Sequence, residues 1–274
     1  MSLFRPTELH LLLNRLGKKP KRGLSQNFLV DGNILNKIIN YANIQPNDLV
    51  LEIGSGPGAL TQVLLQKGAR VIAIEKDPLF ATALNQLQTD DHRLQVISED
   101  FLKINLQKFL ENIPSLKVVA NIPYNITTPI ILSLITHYPK ISLITLMVQK
   151  EVATRFIAQP GCGDYSSLTL LLQYYADISF GFNVEPTCFY PSPSIRSAVV
   201  QFTLKKTPEE PFPERFIRTA FQQRRKMIRS SLKKLFPVQK IEKSLIDLGL
   251  KPEVRPEELS LKDFISLYSA LNRP

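Results

Sequence analysis

Cysteine, histidine and tryptophan are nearly missing from this chain, at two, three and none in 274 residues. Cys162 and Cys188 stand far apart, with no Cys or His at metal-ligand spacing, so neither a disulfide framework nor a structural zinc site is expected. A reduced, cytoplasmic protein without a metal fits that usage. His10, His92 and His137 neighbour no motif and read as structural or exposed. Long hydrophobic runs are missing too. The leucine cluster from Leu9 to Leu13 is flanked by Glu8, Asn14 and Arg15, too short and too polar at its borders for a signal peptide or a membrane span. Internal repeats and low-complexity tracts are also lacking. What remains, at 44% hydrophobic residues, is enough to bury one large core and a small appendage.

Acidic residues are the scarcer sign, 24 against 34 Lys and Arg, for a net charge of +10. The excess is not spread evenly. Residues 1 to 23 carry six basic residues against Glu8, a net of +5, and residues 205 to 241 carry eleven against Glu209, Glu210 and Glu214, a net of +8. Residues 24 to 204 come to −2 and the tail from 242 to −1. Two basic flanks on a near-neutral body suit the footprint of a polyanion better than a solubility device.

From Asp48 onward the chain alternates as α/β proteins do. Leu49 to Ile53, Arg70 to Ile74, Leu94 to Ile97, Val118 to Ala120 and Ser142 to Val148 are short apolar runs, the mark of a parallel sheet covered on both faces. Ala59 to Gln66 and Pro78 to Leu87 read as helices between them. Ile178 to Val184 and Ala198 to Leu204 read as an antiparallel edge pair joined by a Pro-rich connection. Prolines then cluster from Pro208 to Pro213, and a domain boundary is expected near residue 207, giving domains 1–206 and 207–274. Beyond it the pattern is helical: Glu214 to Leu235, Lys240 to Leu248 and Leu261 to Leu271.

Two signatures carry chemistry. Glu52-Ile53-Gly54-Ser55-Gly56-Pro57-Gly58 is a strand-turn-helix whose glycines permit close backbone approach to a ligand at the carboxyl end of the sheet. Glu75 follows Gly54 by twenty-one positions, where a carboxylate can accept from a ribose diol, and Asp100 after the third strand can accept from an adenine amine. A glycine-rich turn alone also suits nicotinamide cofactors. The second signature, Asn121-Ile122-Pro123-Tyr124, points elsewhere. An exocyclic amine is a poor nucleophile that must be held in line with its methyl donor, its hydrogens directed to acceptors. The Asn121 side chain and a backbone carbonyl at Ile122 or Pro123 can accept them, Pro123 stiffens the turn, and Tyr124 offers a ring face. Phe189, on the Pro-stiffened stretch Pro186 to Pro193, suits stacking on the other face of an extruded base.

With Gln26-Asn27-Phe28-Leu29 and Phe221-Gln222-Gln223-Arg224-Arg225-Lys226 added, these motifs resemble the small-subunit (16S) ribosomal RNA adenine dimethyltransferase family, over about Lys19 to the last helix. The resemblance implies a class I S-adenosylmethionine-dependent methyltransferase, an α/β Rossmann-like sheet with a small all-helical C-terminal domain. The implied reaction converts two adjacent adenosines near the 3′ end of 16S rRNA to N6,N6-dimethyladenosine. It implies that Asn27 and Leu29, Gly54 and Gly56, Glu75, Asp100 and Asn121 hold the donor S-adenosylmethionine. Tyr124 and Phe189 would sandwich the base. Without the resemblance, Gln26 to Leu29 reads only as a helix start. The basic stretch from Arg215 to Lys234 then reads as an RNA grip, with Arg224, Arg225, Lys226, Arg229 and Lys233 joined by Lys21 and Arg22 from the N-terminal flank. The partner would be the small ribosomal subunit or its precursor, with no membrane, and a monomer suffices. The rivals are a large-subunit rRNA adenine methyltransferase of the macrolide-resistance type, a non-catalytic assembly or transcription factor on the same fold and, more distantly, a nicotinamide oxidoreductase. Departures from the family pattern at Gly161 to Tyr165, Leu24 and Ser230 concern RNA docking rather than methyl transfer.

Overall fold

The chain, described by a computed structural model over residues 3–20, 26–88, 91–206 and 210–273, divides into two compact units, residues 1–153 with 177–207 and residues 154–176 with 208–274. Lys21, Arg22, Leu24 and positions 207–209 of the expected linker lie outside the described residues. The first unit holds α1 (Pro6–Arg15), β1 (Phe28–Leu29), α2 (Gly32–Tyr41), β2 (Leu49–Ile53), α3 (Ala59–Gln66), β3 (Arg70–Glu75), α4 (Pro78–Leu84), β4 (Leu94–Ser98), α5 (Leu106–Leu110), β5 (Leu116–Asn121), α6 (Thr127–Leu134) and β6 (Ile141–Gln149). It is completed by the strands β7 (Ala176–Val184), β8 (Phe189–Tyr190) and β9 (Ser197–Leu204).

Seven strands form one sheet in the order β4-β3-β2-β5-β6-β9-β7. The pairs β3 with β4, β2 with β3, β2 with β5 and β5 with β6 are parallel. In β2 and β3 nearly every residue is buried rather than every second one, as helices on both faces require. The chain runs outward from β2 through β3 to β4, then returns to the other side of β2 for β5 and β6. That reversal leaves a crevice beyond the carboxyl ends of the central strands, where ligands of open α/β sheets bind. The expected edge pair closes the sheet: β9 runs antiparallel to β6, and β7 lies beyond it at the edge.

One sequence expectation changes here. Gln26 to Leu29 does not begin a helix. Phe28 and Leu29 form β1, paired antiparallel with Tyr190 and Phe189 of β8. Helix α2 starts later, where the Asp31 carboxylate accepts from the N–H groups of Asn33 and Ile34.

The second unit contains α8 (Ser167–Tyr175), α9 (Glu214–Phe221), α10 (Ile228–Leu232), α11 (Val238–Asp247) and α12 (Leu261–Asn272), together with the second half of α7 (Lys150–Ile157). Residues 154–176, counted with the first domain in the sequence, belong to this unit. Tyr165 and Leu170 share its apolar cluster with Phe216, Ile217, Phe264 and Leu267. The Tyr165 hydroxyl, buried, donates to the Leu259 carbonyl at 2.9 Å. The single helix expected over 214–235 is broken between α9 and α10. The Ile228 N–H donates to the Val254 carbonyl at 2.9 Å, a tertiary bond in place of the one that would continue a helix.

Candidate active site

A cavity of about 410 Å³ lies at the carboxyl ends of the central strands, within the first unit. Asn27 and Leu29 from the N-terminal segment, Gly54 and Gly56 after β2, Glu75 at the end of β3, Asp100 after β4, and Asn121 to Tyr124 at and after β5 all line it. One chamber therefore gathers every residue expected to hold a donor, together with the four-residue acceptor signature. None of the three histidines lines it.

Gly54 and Gly56 have φ of +70° and +52°, a region open to glycine and costly for other residues. A Cβ on Gly56 would also come within 3.3 Å of the Phe28 ring. The turn thus presents backbone N–H groups at close range, and that of Gly56 donates to Glu75 Oε2 at 2.7 Å. Glu75 Oε1 accepts from the Asp77 N–H at 2.7 Å. Each carboxylate oxygen keeps capacity for another donor, such as a hydroxyl. Burial raises the Glu75 pKa, opposed by the hydrogen bonds from Asp77 and Gly56. Asp100 is held the other way: Lys76 Nζ, 2.9 Å away, keeps its pKa low, and its second oxygen accepts from the Leu102 N–H.

Glu52 opens the glycine signature, where its motif alone assigns it no role. It lines the cavity, is 2% exposed, and accepts from Thr61 Oγ1 at 2.5 Å. Burial pushes its carboxyl up to about 7, against the lowering effect of the Thr61 bond and with a smaller raising contribution from Glu75. The available signal was a charge inside an apolar five-residue strand, a local inconsistency of the kind functional sites carry.

On the acceptor side, Asn121 Nδ2 donates to the Asn27 carbonyl at 3.4 Å, leaving Oδ1 as the acceptor of that amide. The Pro123 carbonyl accepts from the Ile126 N–H and keeps one further lone pair. The Tyr124 hydroxyl is hydrogen-bonded to Ser197 Oγ at 2.6 Å, and burial raises its pKa so that it stays neutral. Phe189 is not brought into the chamber. It is 4% exposed, packs with Leu29 and Leu35 in the core, and does not line the cavity.

The expected RNA contacts divide as well. Arg224 is engaged within the second unit: it pairs with Glu257 at 3.1 Å and donates to the carbonyls of Gly163 and Cys162. Arg229 pairs with Glu242. A guanidinium already neutralised by a carboxylate is a poor candidate for a phosphate, so both read as structural clamps. Arg225, Lys226 and Lys233 are exposed and form no ion pair among the described residues.

Among the described residues there is no group of three or more His, Cys, Asp or Glu placed to hold a metal, and no helix long and apolar enough to cross a membrane. Comparison with known proteins agrees with the geometry. A ribosomal RNA small subunit methyltransferase A of Protochlamydia amoebophila is 48% identical over 99% of this chain and 98% of its own length. The protein of the same name from Chlamydia caviae is 43% identical over 99% of both chains. Among solved structures, a dimethyladenosine transferase from Plasmodium falciparum superposes with a TM-score of 0.78 at 29% identity, covering 89% of this chain and 97% of that one. The 23S rRNA methyltransferase ErmE reaches 0.69 at 26%, covering 90% and 100%. The family model for ribosomal RNA adenine dimethylase matches residues 17–273, and with its α/β class I methyltransferase fold the chain belongs to that family.

Proposed function

We infer that this protein transfers methyl groups from S-adenosylmethionine to N6 of two adjacent adenosines near the 3′ end of 16S rRNA, in the small ribosomal subunit or its precursor in the cytoplasm. The observation that carries this reading is the meeting of two signatures in one cavity, the glycine turn with Glu75 on one side and Asn121 to Tyr124 on the other. The higher identity to small-subunit enzymes than to the 23S rRNA methyltransferase supports that substrate over the large-subunit alternative. The retained acceptor signature argues against a non-catalytic binder, which has no use for it.

The residues present fit the donor. Gly54 and Gly56 allow a ligand to approach the backbone, Glu75 can accept from ribose hydroxyls, and Asp100 can accept from an adenine amine. When bound, S-adenosylmethionine supplies a methyl group activated by its sulfonium. Asn121 Oδ1 and a backbone carbonyl at Ile122 or Pro123 accept hydrogen bonds from the two N–H groups of the adenine amine, turning its lone pair out of the ring plane. Tyr124, its hydroxyl fixed by Ser197, gives the base a ring face. The nitrogen would gain the methyl as the methyl–sulfur bond breaks, leaving neutral S-adenosylhomocysteine, and would then release a proton to solvent. Stacking on Phe189 would require that ring to leave the core when the base arrives. The adenosines must be single-stranded or extruded, since a paired base cannot reach the chamber.

The test is incubation of the purified protein with isotope-labelled S-adenosylmethionine and unmethylated small or large ribosomal subunits, followed by digestion and mass spectrometry. Labelled dimethyladenosine from the small subunit is the expected result. Label confined to the large subunit would overturn the substrate, and absence of donor binding would overturn the enzyme.

A further inference from the structure

We propose that Lys18 is a positioning residue of the methyl-donor site, latching the N-terminal segment over the cavity through an ion pair with Asp77. The inference rests on the donor reading of the cavity given above.

The leucine cluster that excluded a membrane span forms a roof. Leu3 and Leu9 line the chamber, Leu9 and Leu13 pack on Phe80, and Leu3 and Leu12 pack on Ala83. Both ends of the segment are tied to elements that shape the site. The Leu3 N–H donates to Gln62 Oε1 of α3 at 3.0 Å, and Lys18 Nζ pairs with Asp77 Oδ2 at the start of α4. Only 18% of the Lys18 side chain and 17% of that of Asp77 are exposed, so solvent screens this pair less than an open surface pair. The Lys18 ammonium also lies 5.8 Å from the centroid of the Phe80 ring, itself part of the cavity wall.

Asp77 links the latch to the ligand pocket. One carboxylate oxygen takes Lys18 and the other caps α4 at the Leu79 N–H, while the Asp77 backbone N–H donates to Glu75 Oε1. A displaced Lys18 would loosen Asp77, and with it the carboxylate assigned to the donor ribose. In the sequence Lys18 counts towards a basic flank suited to RNA; in the fold it points at a carboxylate beneath the roof.

The test measures binding of S-adenosylhomocysteine, the demethylated product, to full-length variants by calorimetry, alongside steady-state methylation and RNA affinity. Lys18→Ala is expected to weaken product binding about tenfold and raise the KM for donor, while kcat at saturating donor and RNA affinity stay within about twofold. Lys18→Arg, which keeps the charge, should restore binding. Lys19→Ala, which removes the neighbouring exposed charge, should leave donor affinity unaltered. Lys18→Gln keeps the stem over Phe80 and carries the comparison if Lys18→Ala does not fold. Unchanged donor affinity in Lys18→Ala, or loss of RNA affinity instead, overturns the latch. Failure of Lys18→Arg to restore binding overturns it too. Failure of the wild-type protein itself to bind S-adenosylhomocysteine would instead sink the donor reading on which the proposal stands.

Discussion

Glu52 lies between Leu51 and Ile53 in a strand that is otherwise wholly apolar, and its pKa of about 7 makes it a determinant of stability as well as of cavity chemistry. In the unfolded chain its carboxyl titrates near 4.5. Between that value and about 7 the folded state binds more protons, so the stability this group confers is complete at low pH and is lost as pH rises through its folded pKa. The gap amounts to about 3 kcal/mol, at about 1.4 kcal/mol per pH unit. Glu52→Gln keeps an acceptor for Thr61 and removes the proton uptake. Urea unfolding of both proteins should therefore show the wild type losing about 2 to 3 kcal/mol relative to the variant between about pH 5 and pH 8. A difference that does not move with pH would mean the carboxyl is solvated. Phe189 poses a second question at this scale. Phe189→Leu keeps its place in the core at a cost of about 1.5 kcal/mol or less. If the ring also stacks on the target base, turnover should fall about 5- to 150-fold, the equivalent of about 1 to 3 kcal/mol per stacked base. Unchanged turnover with intact donor binding would confine Phe189 to packing. That Gly54, Glu75, Asp100 and Asn121 line one cavity was legible in the sequence because each lies at or just after a strand end. The role of Lys18 was not, since Asp77 stands 59 positions away and only the fold brings them together.

At the scale of elements, the parallel strands were readable because burial on both faces writes each as a short continuous apolar run. The break between α9 and α10 left no such trace. It depends on Val254, whose carbonyl takes the Ile228 N–H, and on Glu257, which takes Arg224. The run Arg224-Arg225-Lys226 therefore mixes two environments that look alike in sequence. Arg224 ties the Cys162–Gly163 carbonyls and Glu257 to the turn after α9, whereas Arg225 and Lys226 face solvent. Arg224→Ala should lower the unfolding free energy by about 1 to 2 kcal/mol, a figure reduced for its partial exposure. Arg225→Ala combined with Lys226→Ala should leave the melting temperature within about 1 °C but weaken RNA binding, since exposed substitutions rarely change stability by more than about 0.5 kcal/mol. Thermal melts and RNA titrations on the same preparations separate the two. Equal loss of RNA affinity with no change in melting for Arg224→Ala would return that residue to the phosphate contacts.

For the whole molecule, composition located the basic flanks but not the partners of their charges, and the proline cluster lies beside one division between the compact units while no such mark stands at the other. Nothing in composition changes at residue 153, because Tyr165 and Leu170 would serve any core; their contacts with Phe216 and Phe264 decide that they join the helical unit. Of the nine Lys and Arg between 215 and 241, Arg218, Arg224 and Arg229 are ion-paired with Glu214, Glu257 and Glu242. Arg215, Arg225, Lys226, Lys233, Lys234 and Lys240 form no ion pair among the described residues and can each neutralise a phosphate. Each phosphate so neutralised steepens the fall of log affinity with log salt by about 0.7 to 0.9, so these six together account for a slope of about 4 to 5. Replacing them with Gln should flatten the salt dependence of RNA binding by about that amount. Donor binding should not change, because the cavity at the strand ends is lined wholly by other residues. Titrations of a 16S rRNA fragment over a range of salt concentrations measure the slope. A smaller decrease would mean that fewer of these cations meet phosphate. A wild-type slope that also drops by one step in Arg224→Gln or Arg229→Gln would mean that RNA opens those ion pairs and draws their guanidinium groups to its backbone.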